Sequence, residues 1–219
     1  MQPKYYTGIG PTNTPLEYMA IFSITAEYLK EKGYRLRSGE GKNADSAFRE
    51  GVDEEGELYI PSPNFNDSPS ALIIPEFDAE VLQSGRKYIM DNDIYKNIDS
   101  LKPFYSNMLL STLFQLLGKD LSTPSSLLVC YADDSEPLNS RISLAIKIAE
   151  LNKISVLNLY TEDGLKRVTN IINVHGELHQ QIRSTIHKWM KNGVRGIDEI
   201  SIDQAKAAMS RISFLKNEE

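Results

Sequence analysis

Apolar positions along the chain follow two rhythms. One is a set of short dense runs bounded by Gly, Pro, Asp or Asn, the mark of strands; the other is a spacing of three and four residues, the mark of helices. KYYTGI (4–9), YRLR (34–37), ELYIP (57–61), SSLLVCYADD (125–134) and ISVLNLY (154–160) belong to the first class, and ALIIP (71–75) reads as a strand or a buried coil. The continuous apolar centre of 125–134 predicts a strand covered on both faces.

Residues 15–32 carry a partial helical stripe of Leu16, Met19, Ala20, Ala26 and Leu29. Thr14 before Pro15 predicts an N-cap followed by proline in the first turn, and Gly33 predicts the C-cap. Residues 43–51 place Ala44, Ala47 and Phe48 on one side and stop at Gly51. Helices are also predicted over 77–91, 103–117 and 138–152; the second is apolar almost all round and so should be buried. Over 4–61 the order strand, helix, strand, helix, strand predicts a parallel sheet with crossover helices. The expected fold is α/β, a parallel sheet of five or six strands over 1–160, with a helical C-terminal extension over 161–219. The extension's stripe of Ala205, Ala208, Met209, Ile212 and Leu215 needs an apolar partner, either the domain itself or a second copy of the chain.

Composition narrows the class. The chain has 219 residues, 41% hydrophobic and 25% charged, as expected of a globular protein. No apolar run approaches the ~18 residues that span a membrane, and MQPKYYTGIG has no signal-peptide core. The single cysteine, Cys130, excludes an intrachain disulfide, fits a cytoplasmic protein and reads as core filler. A net charge of -6 counts against a groove that tracks nucleic-acid phosphates.

The topology sends loops 8–15, 38–45 and 132–141 to the carboxyl ends of parallel strands, the edge where open α/β sheets bind ligands. A helix N-terminus there favours an anion. Gly39 and Gly41 let the backbone bend sharply, and Ser38, Lys42 and Asn43 offer hydrogen bonds to a phosphate. Asp45 would repel a phosphate and suits a ribose hydroxyl or a turn-stabilising bond to backbone amides. The other reading of this turn is a helix cap with no ligand.

YYTGIGPTNTP followed by GYRLRSGEGKNADSAFREG resembles the SLOG superfamily, which includes the DNA-processing protein A family, the lonely-guy phosphoribohydrolases and many small phage proteins. PSSLLVCYADD, LAIKIAELNKISVLNLY and the preceding MLLSTLFQLLGKDLSTPSS are similar to the second half of the family pattern, with phage members the nearest. The likeness covers about 4–160 and implies a Rossmann-like fold, a nucleotide or nucleotide-derived ligand, and a homodimer. Gly8, Gly10, Thr12 and Asp133 join Ser38, Gly39, Gly41, Lys42, Asn43 and Asp45 as the expected ligand-binding set. Where the family carries a second glycine loop, 135–141 reads SEPLNSR, and Arg141 is the candidate phosphate partner in place of glycine amides. The lonely-guy glycine motif is absent, so phosphoribohydrolase activity does not carry over residue by residue.

Catalysis would need a carboxylate. Glu40, Asp45, Asp133, Asp134 and Glu136 all fall at one sheet edge, and Glu40 or Glu136 is the candidate to activate water and stabilise an oxocarbenium-like state in N-glycosidic cleavage. The alternative is a set of hydrated loop carboxylates. No cofactor and no metal are expected: HGELH sets His175 and His179 four apart but lacks the metalloprotease order. Trp189 reads as an anchor on the core or on a subunit interface. Three functions follow: a nucleotide-binding protein that hydrolyses an N-glycosidic bond, a non-catalytic sensor or sequestering protein for a nucleotide signal, and a single-stranded DNA binder of the DNA-processing type.

Overall fold

The computed structural model describes residues 3–52, 56–63, 65, 71–135, 137, 140–173 and 176–212. Six strands, β1 (Lys4–Ile9), β2 (Tyr34–Ser38), β3 (Glu57–Ile60), β4 (Leu72–Ile73), β5 (Leu127–Cys130) and β6 (Ser155–Asn158), form one sheet. Their spatial order is β4-β3-β2-β1-β5-β6, and every pairing is parallel. The register sets Tyr6 beside Leu36 on one side and Leu127 on the other. This is a Rossmann-like α/β fold, as the alternation of strand and helix predicts.

Helices cover both faces. On one lie α1 (Leu16–Glu31), α2 (Ala44–Gly51), α6 (Glu162–Ile172), α7 (Leu178–Asn192) and α8 (Ile202–Arg211), around a core that includes Tyr6, Phe22, Phe48, Val129, Leu157 and Trp189. On the other lie α3 (Ala79–Asp91), α4 (Pro103–Leu117) and α5 (Arg141–Leu151), around Ile9, Tyr59, Phe114, Leu128, Cys130 and Ile148. β5 therefore feeds both cores, which explains its unbroken apolar run. The second half of α4 is fully buried, but its first residues, Phe104 and Tyr105, are exposed.

The extension folds back on the domain. Ala208 and Ile212 are buried against the first core, with Ala205 and Met209 packed beside them, and Leu215 lies outside the described residues. Close approach of α1 and α2 requires Gly51: a Cβ there would lie 2.1 Å from the Ser23 carbonyl oxygen. Gly33 stands just past α1 with φ 78°, in the left-handed region that suits glycine. The expected N-cap at Thr14 shifts by one residue. Pro15 is extended, with φ -59° and ψ 146°, and holds the cap position, while the Thr14 hydroxyl donates to the Pro11 carbonyl at 2.7 Å.

Candidate functional site

β1 is paired on one side with β2 and on the other with β5, so the sheet changes winding direction there. In open α/β sheets such a switch point is where a ligand crevice forms, at the carboxyl ends of the strands. The loops after β1, β2 and β5 meet there.

Arg141, the first residue of α5, reaches across this crevice. Its guanidinium pairs bidentately with Asp45 of α2, Nη1 donating to Oδ2 at 2.8 Å and Nη2 to Oδ1 at 3.0 Å. Nη2 also donates to the Gly10 carbonyl at 3.2 Å. The Asp45 carboxylate, fully buried, accepts the Gly41 amide at 3.0 Å and the Gly10 amide at 3.4 Å. One ion pair thus fastens three loops together. Two backbone amides and a guanidinium fork around a carboxylate are anion-recognition chemistry, with a side chain of the chain itself as the occupant.

The glycine turn consequently does not stand open. A Cβ on Gly39 would lie 2.6 Å from Arg141 Nη1 and 2.7 Å from Asp45 Oδ2, so a side chain here would push against the ion pair. A phosphoryl group on the Gly41 amide would have to displace Asp45. Of the two sequence readings of Asp45, the geometry gives the bond to backbone amides. Beside this cluster, the fully buried Gln115 donates Nε2 to Ser111, while its Oε1 has no partner among the described residues.

The remaining expected residues separate. Ser38 donates its hydroxyl to the Gly8 carbonyl at 2.6 Å, a buried link between β1 and β2. Gly8 is small because the Phe48 ring packs on it; an added Cβ would lie 2.6 Å from that ring. Lys42 is exposed and faces Asp198 at 3.6 Å. Asp133 accepts the Ser135 amide at 2.9 Å and its hydroxyl at 2.5 Å, which closes a local turn. Thr12 is exposed, and its carbonyl accepts the Asn43 side-chain amide at 2.7 Å.

Of the two proposed catalytic carboxylates, the structure describes Glu40. Glu40 is 1% exposed, and both its oxygens accept Arg49 Nη1 at 2.8 Å. Excluded from water and held by a guanidinium, it does not reach a substrate bond in this arrangement. Glu136 lies outside the described residues. His175 does too, and among the described residues no group of three or more His, Cys, Asp or Glu side chains is set to hold a metal.

Sequence reasoning missed Arg49 and a strap from the extension. The segment between α7 and α8 lies over the start of α2. The Gly196 carbonyl accepts the Asn43 amide at 2.7 Å, and the Arg195 carbonyl accepts Arg49 Nη2 at 3.4 Å. Asn43 and Asp198 clasp each other, Asn43 Nδ2 donating to the Asp198 carboxylate at 3.1 Å and the Asp198 amide to Asn43 Oδ1 at 2.9 Å. Asn43 takes a left-handed φ of 62° to do so. The helix N-terminus expected to receive a phosphate is thus partly satisfied from within. No local signal predicts this, because the partners lie some 150 positions apart, as the separation of 155 between Asn43 and Asp198 shows.

Two tyrosines meet between α1 and the end of β5. Tyr18 of α1 and Tyr131 after β5 pack with ring centroids 4.9 Å apart, and burial pushes the Tyr131 phenol up to about 12. Among the described residues no helix is long and apolar enough to cross a membrane. The chain matches no family model, no curated protein and no solved structure.

Proposed function

We propose that this protein binds a nucleotide or nucleotide-derived small molecule at the carboxyl edge of its sheet, in the crevice between β1 and β5. The observation that carries the reading is the Arg141–Asp45 pair, set on the amides of Gly10 and Gly41 at the switch point. A ligand phosphoryl group would compete with Asp45 for Arg141, whose side chain is 18% exposed. The SLOG likeness over about 4–160 supports the same ligand class and extends the proposal to a homodimer, which sedimentation would test.

Binding without catalysis is the better-supported form. Glu40, the described candidate for N-glycosidic cleavage, is sealed against Arg49. The net charge of -6 continues to count against a DNA-binding role.

A second reading has its own observation: both buried carboxylates of the turn, Glu40 and Asp45, are neutralised internally. On that reading the pairs are clasps that lock loops together, and the function lies on another surface. Thermal unfolding with mono-, di- and cyclic nucleotides and ADP-ribose separates the two, because a ligand that binds only the native state raises its melting point. A rise with one compound, lost in Arg141→Met, supports the first; no rise with any supports the clasp. Chromatography for free base after incubation with nucleoside monophosphates tests hydrolysis directly.

A further inference from the structure

The strap and the first loop border an open-sided cavity of about 360 Å³ next to Asn43. That size falls within the range of small-molecule sites. Its walls come from three places: Thr12 to Met19 at the start of α1, Asn43 at the start of α2, and Ile197 to Ala207 of the extension. The loop Gly10–Thr14 is shared. Its Gly10 end meets Arg141, and its Thr12 end lines the cavity.

We infer that this cavity is the subsite for the uncharged part of the ligand, a nucleoside base and sugar, and that the C-terminal extension supplies one of its walls. The inference rests on the proposed nucleotide reading and adds where, and by which residues, the nucleoside is held. Charge sorts the two ends. The cavity wall carries Glu199 and Asp198, the latter 3.6 Å from Lys42, while its one cation, Arg211, is engaged by the Glu17 carboxylate. Such a wall offers a phosphate no unpaired cation, and its carboxylates can accept hydrogen bonds from ribose hydroxyls or an exocyclic amine. Leu16, Met19 and Ile200 give it an apolar face for a planar base. Phosphate chemistry lies instead around Arg141, at the other end of the shared loop. The extension is then part of the binding site, since without Ile197–Ala207 the cavity has no outer wall.

The test fills the cavity. Ala207 lines it from α8 and is solvent-exposed, so tryptophan at this position adds bulk without entering the core. Isothermal titration compares wild type and Ala207→Trp with the four common ribonucleosides, their 5′-monophosphates and inorganic phosphate. The expected result is that Ala207→Trp weakens nucleoside and nucleotide binding about tenfold or more, a change of one decade in Kd, while phosphate binding is retained. Equal nucleotide affinity in the two proteins overturns the subsite and leaves the nucleotide reading standing. No binding of any compound to wild type overturns both. Should Ala207→Trp unfold at a lower temperature, hydrogen exchange of the wild type decides. Slower exchange at Thr12–Met19 and Ile197–Ile200 on adding the best nucleoside supports the cavity, and unchanged exchange there refutes it.

Discussion

Removing the Arg141 guanidinium should destabilise the protein more than removing the Asp45 charge, and the reason is unequal burial. The Asp45 side chain is fully buried, whereas that of Arg141 is 18% exposed. In Arg141→Met the carboxylate keeps the amides of Gly10 and Gly41, at 3.4 and 3.0 Å, but loses two guanidinium bonds at 2.8 and 3.0 Å. In the wild type none of this carboxylate reaches water. Breaking one side of a buried ion pair costs about 3–5 kcal/mol. The retained amide bonds place this case near the lower end, about 3 kcal/mol. In Asp45→Asn the side-chain oxygen still accepts a backbone amide, and the released guanidinium can turn toward solvent, so the loss should be about 1–2 kcal/mol. For a chain of this size about 3 kcal/mol lowers the unfolding midpoint by roughly 6–12 °C. Urea unfolding followed at Trp189, the single tryptophan and 2% exposed, gives the assay, with the double variant closing a cycle for the coupling energy. An Asp45→Asn loss equal to or above that of Arg141→Met would refute the burial argument.

Three further outcomes are expected. Gly51→Ala drives a Cβ against the Ser23 carbonyl oxygen, 2.1 Å away, and against Ala26; it should cost about 1–3 kcal/mol or more through overpacking, and a wild-type melting curve contradicts this. Burial pushes the Cys130 thiol up to about 12, so a thiol reagent at pH 8 should label it only in urea; rapid labelling of the native protein counts against the buried β5. Burial acts to raise the Asp120 carboxyl, but hydrogen bonds from Thr123 and Ser122 outweigh it and hold the group at about 2, below its ordinary 3.8. Its folded value is depressed, so its contribution is present above the unfolded value and lost as pH falls through about 2. A carbon-detected NMR titration with a midpoint at 3.8 or higher contradicts that turn.

What the sequence disclosed follows from how local each cause is. The apolar run of β5, the stripe of α2 and the turn at Gly33 are set by neighbours within a few positions, and each sits where the pattern predicts. Loops 8–15, 38–45 and 132–141 meet because parallel topology forces them to one edge. Arg141 and Asp45 were legible as residues of that edge, but their partnership was not, since 96 positions separate them. Glu40 shows the sharper limit. A charged residue in a polar loop reads as hydrated, yet Glu40 is 1% exposed and paired with Arg49, which the strap's Arg195 carbonyl in turn holds. The strap belongs to an extension whose stripe gave its need for a partner but not the partner's identity.

The central claim is that an anionic nucleotide-derived ligand engages Arg141 at the mouth of the sheet. Amide and Arg141 Nε–Hε chemical shifts of the isotope-labelled protein, followed by NMR during titration with the compound that most raises the melting point, test it most directly. The account predicts saturable shifts at Gly10, Gly41, Asp45 and the Arg141 side chain, spreading to Thr12 and Asn43. Shifts confined to another face, or none at any concentration, would contradict it and leave the buried pairs as clasps alone.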